Sequence, residues 1–229
     1  DRGMIGMCMT GSSQPAVLPT FAKEPRFSTN PIAVAAPGLK NEHFSLDMAT
    51  STVAVGKLNI ARRAGKEIPI GWATDETGTP TTDPMAALNA VPKRLTPIGG
   101  SRELGSHKGY GLGLVVEVLC SVLSGSYTGA TDVMTGEKGE NMNIGHFCLA
   151  IDPDSFREEG DFETHMDALM DWMRETPPLD PKQPVLVPGD PEHDARKIRV
   201  AEGIPMTDTL VKEVREVAEE SGAPLLIGN

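Results

Sequence analysis

Aromatic residues make up only 4% of this 229-residue chain: two Trp, two Tyr and six Phe. A core built without aromatic bulk has to be filled by Val, Leu, Ile, Met and Ala. Positive charge is scarce as well, with 21 Lys and Arg against 32 Asp and Glu, a formal net charge of −11. That balance excludes nucleic acid and an anionic membrane surface as main partners, because both reward clustered Lys and Arg. The densest basic patch, Lys57, Arg62, Arg63 and Lys66, falls where a helix is expected to end, and there it complements the helix dipole. Cysteine is limited to Cys8, Cys120 and Cys148. Odd in number, widely spaced and set in apolar runs, these read as buried free thiols and not as disulfides or a metal site, which suits a reducing cytoplasm. No signal peptide is visible. The longest apolar run, Gly109 to Leu123, contains Glu117 and falls short of the ~20 residues that cross a bilayer.

Chemical signatures are missing too. No Gly-x-Gly-x-x-Gly stands between a strand and a helix, so a Rossmann fingerprint is not met. There is no phosphate loop of the Walker type, no His-Glu-x-x-His or paired-Cys zinc site, and no Gly-x-Ser-x-Gly of a hydrolase. The chain opens on Asp1-Arg2 and runs straight into Met4 to Met9, which reads as a chain entered partway through a fold.

What is present is an alternation of short apolar runs with helical stretches. Met4–Met9, Ile32–Ala36, His43–Met48 and Ile144–Ile151 read as buried strands bounded by turn residues. Ser51 is a plausible N-cap for a helix from about Thr52 to Ala64, with Gly65 as its stop. Asp83-Pro84 leads a short helix through Ala90, and Pro69–Ala73 is a short strand or ordered loop. Residues 124–142, rich in Gly, Ser and Thr, read as a mobile loop. His146, inside a strand, is expected to be a satisfied core histidine. Phe162, Met166, Leu169, Met170 and Met173 form one stripe on a helix over Asp161–Glu175. Val185–Val187 reads as a short strand, His193–Arg199 as a charged helix, and a last helix starts near Thr207 and stops at Gly222. The class is α/β, with irregularity that predicts a mixed sheet.

The stretch Gly105-Ser106-His107-Lys108-Gly109-Tyr110-Gly111-Leu112-Gly113 is the most unusual. It predicts a loop opening onto a buried helix. Its glycines serve either close helix packing or the approach of an anion to a helix N-terminus carrying Lys108. Asp47, at the end of a strand and before a helix, serves either local capping or a ligand.

Taken together, Thr29-Asn30-Pro31-Ile32-Ala33, Asp47-Met48-Ala49-Thr50-Ser51, Pro97-Ile98-Gly99-Gly100, His107-Lys108-Gly109-Tyr110-Gly111-Leu112 and Gly145-His146-Phe147 to Ile151-Asp152-Pro153 resemble the type 2 malate/L-lactate dehydrogenase family. That family also includes ureidoglycolate, sulfolactate and diketogulonate dehydrogenases. The Pro188–Glu192 segment and the final helix fit it as well. The resemblance implies a non-Rossmann NAD(P)-binding fold and hydride exchange between NAD or NADP and a small 2-hydroxy or 2-oxo acid. It also implies a homodimeric cytoplasmic enzyme.

Carried over by position, Ser12, Asp47, Met48, Ala49, His107, Lys108, Gly109, Gly189 and Asp190 are the expected cofactor contacts, although Gly11 stands where an Asn is usual. The family's acid/base histidine sits in an Asn-His-x-Gly-like motif that this sequence lacks. His43, His107, His146, His165 and His193 all fall outside it, so none is assigned that role. The resemblance therefore implies a fragment without the first third, with residues 1–145 mainly the cofactor-binding domain and 146–229 part of a second one. The rival reading is an inactive fragment or partner chain that only binds cofactor.

Overall fold

The computed structural model describes residues 2–12, 14–126, 130 and 143–227. Most of the loop expected at 124–142 lies outside the described residues. The strands are β1 (Ile5–Thr10), β2 (Ile32–Ala36), β3 (Phe44–Met48) and β4 (His146–Ile151), forming one sheet in the order β3-β2-β1-β4. Every pairing in it is antiparallel. Among the described residues a parallel pairing occurs only as the isolated bridge of Val17 with Leu95, so the expected mixed sheet is an antiparallel one. The α/β class holds, and the chain gets its antiparallel order by placing β1 between β2 and β4.

Helices α1 (Val55–Arg63), α2 (Pro84–Asn89) and α3 (Ser106–Val116) follow β3. Asp83 caps α2 by accepting the Met85 N–H at 2.8 Å. Gly65, at φ +62°, ends the turn after α1, and Arg62 and Arg63 occupy the last turn as expected. Ser51 does not cap α1. Its buried hydroxyl donates to the Val53 carbonyl at 2.8 Å, and the helix begins three residues later, behind Ala54, without a side-chain cap. The local hydrogen bond of a Ser competes here with the cap and wins.

The core lies in two clusters. Val17, Phe27, Val53, Leu58, Ile68, Ala73, Ala87 and Leu95 pack one of them, with Tyr110 of α3 tilted against Phe27 at a centroid distance of 5.6 Å. The other joins α3 to one face of the sheet: Met9, Ile32, Val116 and Cys120, flanked by Met7, Val34, Leu119 and Phe147. The opposite face of the sheet carries small and polar side chains in registered rows. One row runs Asp47, Ala33, Cys8, Cys148, and the next Ser45, Ala35, Gly6, Ala150.

That register corrects two expectations. Cys8 and Cys148 are exposed, and only Cys120 is buried. His146 is also exposed; its Nδ1 lies 3.0 Å from the Thr10 hydroxyl. By the period-2 alternation of β4, Phe147, Leu149 and Ile151 fall on the side of Met7 and Met9, and His146, Cys148 and Ala150 on the other.

Helix α4 (Asp161–Arg174) follows a single 3₁₀ turn after β4. Met170 is buried, while Leu169 and Met173 of the same stripe remain 48% and 40% exposed, so only part of the expected core face is covered. Asp167, buried on this helix, receives the backbone N–H groups of Leu39, Lys40 and Asn41 at 3.1, 2.7 and 3.2 Å. Burial pushes its carboxyl pKa up, but these donors outweigh burial and hold it below the ordinary value.

By internal contacts the chain divides into residues 1–172 and 173–229. β4 lies in the first unit, in the same sheet as β1. The second unit holds α5 (Asp190–Glu202) and α6 (Asp208–Ser221). Thr207 caps α6 and Gly222, at φ +69°, ends it. Val185–Val187 forms no strand and leads into α5, with Val187 buried. No helix among the described residues is long and apolar enough to cross a membrane.

Candidate functional site

The sheet gathers the first group of expected contacts. β1 and β3 both run antiparallel to β2 between them, so they share a direction and their carboxyl ends lie at one edge. That edge carries Gly11 and Ser12 after β1, Asp47 and Met48 at the end of β3, and Ala49 just beyond. Ser12 is half-buried, and its hydroxyl accepts the Gln14 N–H at 3.3 Å. Asp47 is exposed, while Met48 and Ala49 are half-buried. The carboxylate of Asp47 makes no hydrogen bond or ion pair within the described residues.

The segment after Ala49 ties this edge to α3. Thr50 is fully buried. Its N–H donates to the Thr29 carbonyl at 2.8 Å, and its own carbonyl accepts the Ile98 N–H at 3.0 Å. Ile98 in turn lies under α3. A Cβ on Gly109 would stand 2.4 Å from the Ile98 carbonyl oxygen and 2.5 Å from its nitrogen, inside any permissible contact. At Gly113 the same atom would meet the Phe27 ring at 2.6 Å and the Thr50 hydroxyl at 3.1 Å. The two glycines thus serve close helix packing. A helix seated this tightly also fixes the position of its first turn.

That first turn is Ser106, His107 and Lys108. Gly105 precedes it at φ +91° and no side chain caps the helix. Ser106 is buried, with its hydroxyl 3.1 Å from that of Thr20. His107 is exposed, and its Nδ1 accepts from Arg102 at 3.0 Å, because a guanidinium can only donate. The ammonium of Lys108 is exposed and makes no hydrogen bond or ion pair within the described residues. Beside this turn lies a cavity of about 200 Å³, lined by Leu18, Thr20, Ile70, Thr96, Arg102 and Ser106 among others. It is smaller than the 300–1,000 Å³ usual for sites that enclose a ligand, so a dinucleotide would have to lie along the open edge and not inside it.

Sequence reasoning missed the clamp that holds this arrangement together. Asn30 is fully buried at φ +41°. Its amide donates to the Gly113 carbonyl at 3.0 Å and to the Glu117 carboxylate at 2.9 Å. At Glu117 the helix changes to a π-helix that continues to Val122, a local form concentrated at functional sites. The available signal was Asn preceding Pro31, since Asn tolerates the left-handed region better than most residues.

The remaining expected contacts, Gly189 and Asp190, belong to the second unit. Gly189 occupies the N-cap of α5 at φ +108°. The Asp190 carboxylate is taken by Arg174 through two hydrogen bonds, 2.7 Å from Nη2 and 3.1 Å from Nε, and by the Val187 N–H at 3.0 Å. The Arg174 guanidinium, chiefly, holds this carboxyl below its ordinary pKa. Its role within the unit is that of a first-turn anchor.

The family model described as malate/L-lactate dehydrogenase matches residues 1–215. The malate dehydrogenase of Pyrococcus horikoshii is 38% identical over 223 residues, covering 97% of this chain and 60% of that protein. The (2R)-3-sulfolactate dehydrogenase (NADP(+)) of Chromohalobacter salexigens is 36% identical over 219 residues, covering 95% and 60%. Among solved structures, the malate dehydrogenase of Entamoeba histolytica superposes with a TM-score of 0.86 at 29% identity, covering 98% of this chain and 63% of that one. The chain therefore spans about three-fifths of the length of the relatives it matches.

Proposed function

The chain belongs to the malate/L-lactate dehydrogenase family, and we propose on that premise that it supplies one wall of the nicotinamide-dinucleotide site of a 2-hydroxyacid dehydrogenase. The observation that carries this reading is Lys108. A cation in the first turn of a helix is opposed by the helix dipole, at a cost of roughly 0.3–1 kcal/mol. Among the described residues nothing compensates it. A phosphate does so through its charge; the Ser106 and Lys108 N–H groups are already given to the Ser101 and Gly105 carbonyls at 2.9 Å.

Asp47 complements this cation. Its carboxylate only accepts hydrogen bonds, so at the sheet edge it is suited to ribose hydroxyls or an amide N–H₂. Met48 and Ala49 furnish a half-buried apolar flank, and Ser12 lies at the end of the parallel-running β1. A bound nicotinamide dinucleotide supplies hydride exchange with the hydroxyl-bearing carbon of a small 2-hydroxy acid such as malate, lactate or sulfolactate. NAD and NADP are both open to this chain, and the sulfolactate relative carries NADP(+) in its name.

A second reading, that these 229 residues bind cofactor without turnover, rests on the histidines, none of which lies in an Asn-His-x-Gly-like motif. His107 is engaged by Arg102 and His146 by Thr10, while His165 Nδ1 sits against the Asp161 carbonyl. Fluorescence titration with NADH and NADPH, beside an assay with pyruvate and oxaloacetate, separates the two. Binding with turnover supports the first reading and binding alone the second. Absence of binding to either dinucleotide refutes both. Homodimer formation is part of the proposal, supported by apolar side chains that remain exposed along α3 and its π-helical extension, among them Leu112, Val115, Val118 and Val122.

A further inference from the structure

We propose that Cys8 and Cys148 form a thiol-oxidation site that closes to a reversible cross-strand disulfide when met by a small disulfide oxidant of the glutathione type. The two residues are direct partners in the β1–β4 ladder. The Cys8 thiol points at Cys148, with the two sulfurs 3.5 Å apart. Bonded sulfurs stand at about 2.05 Å, and cysteines on adjacent paired strands already meet the Cα spacing that a disulfide requires. Closure therefore needs side-chain rotation and a slight approach of the strands, with no change of register.

Both thiols are exposed. They lie on the face of the sheet away from α3, where the neighbours in the two rows are Ala33, Gly6, Ala35 and Ala150, so no large side chain in those rows shields them. Cys120 provides the contrast. It is buried beneath that sheet on α3's side, and burial raises its pKa. The Cys8 thiol pKa is also raised above its ordinary value, chiefly by the hydrogen bond to Cys148; in that bond Cys8 donates and Cys148 is the accepting sulfur, so Cys148 is taken as the first to attack.

In the first step the Cys148 thiolate attacks one sulfur of oxidised glutathione, forming a mixed disulfide and releasing one glutathione thiol. In the second, the deprotonated Cys8 sulfur attacks the Cys148 sulfur and releases the other glutathione thiol. Two protein S–H bonds are exchanged for one S–S bond, and the oxidant's S–S bond for two S–H bonds. The link would tie together residues 140 apart in sequence. It would sit two positions from the Thr10–His146 contact and at the strand that leads to Ser12.

The 229-residue chain is incubated with reduced or oxidised glutathione and its thiols are counted after denaturation. The expected count falls from three to one, with mass mapping showing a Cys8–Cys148 peptide pair. A loop this long raises Tm by about 10 °C on oxidation. Cys120→Ala should keep that rise, whereas Cys8→Ser and Cys148→Ser should each abolish it. Three free thiols after oxidation, a link involving Cys120, a covalent dimer or a Tm rise in Cys8→Ser would overturn the proposal. None of these readouts depends on cofactor binding or turnover.

Discussion

Replacing Lys108 by Ala tests whether its position serves the helix or a ligand, because the two roles predict opposite signs. Lys108 stands in the first turn of α3, exposed and without a partner among the described residues. Removing a cation from that end relieves about 0.3–1 kcal/mol of unfavourable dipole interaction, and Ala is at least as good a helix former as Lys. For a domain of this size the gain appears as a Tm increase of about 1–4 °C. A charge-assisted hydrogen bond to phosphate, in contrast, contributes about 1.5–3 kcal/mol, so its loss weakens NADH or NADPH binding by about 10- to 150-fold. The expected result is a chain that is slightly more stable and binds cofactor much less well. Differential scanning fluorimetry and NADH fluorescence titration, run on the same preparations at two salt concentrations, read both quantities. An unchanged Kd refutes the phosphate role. A lower Tm with unchanged Kd shows that Lys108 stabilises the fold through contacts that outweigh the dipole.

The glycines of the same helix give a paired test: Gly113→Ala should cost about 1–3 kcal/mol by overpacking against Phe27 and Thr50. Gly111→Ala meets nothing within 4 Å and should gain up to about 1 kcal/mol from helix propensity, both read by urea unfolding. Asp167→Ala leaves three N–H groups of residues 39–41 without their acceptor and should cost about 3 kcal/mol or more, seen as a Tm drop of roughly 6 °C or greater. Asp167 and Asp190 both have folded pKa values below the ordinary 3.8. Their stabilisation should therefore be complete above about pH 4 and drain away as pH falls through the folded values; an Asp167→Asn chain should show a shallower Tm loss from pH 5 to pH 2. Sedimentation at micromolar concentration should show a dimer or larger species, and a clean monomer would contradict the homodimer.

The elements were legible wherever a local rule decides them. β2 falls on Ile32–Ala36 as its turn-bounded apolar run indicates, and the ends of α1 and α6 follow Gly65 and Gly222. What sequence patterns did not encode was which partner a side chain would find. Ser51 has the chemistry of an N-cap, but its hydroxyl found the Val53 carbonyl first. Cys8 and Cys148 sit in apolar runs, and composition places such thiols inside. Only the register of two strands far apart in sequence shows that they face outward together. The pairing of the Asp190 carboxylate with Arg174 is likewise one that no spacing rule encodes. The site contacts entered through family resemblance. The shared direction of β1 and β3 gives a physical reason for Ser12 and Asp47 to serve one ligand.

The Gly105–Leu123 stretch shows why sequence alone left its role open. A largely apolar run, interrupted by Glu117, with small residues on one face satisfies two demands at once. Gly109, Gly113, Val116 and Cys120 bring one side of the helix down onto Ile98, Phe27 and the sheet. Leu112, Val115, Val118 and Val122 leave the other side exposed by 38%, 46%, 55% and 70%. Neither side carries the charge. Lys108 stands at the helix end, where the dipole makes a cation unfavourable and an anion welcome. Close packing and ligand binding are therefore not rival explanations of the glycines. The packing holds the backbone of the first turn against Ile98, and Ile98 is hydrogen-bonded to Thr50, directly after Ala49. A substitution that loosens Gly109 should then weaken cofactor binding even though its side-chain position touches only protein.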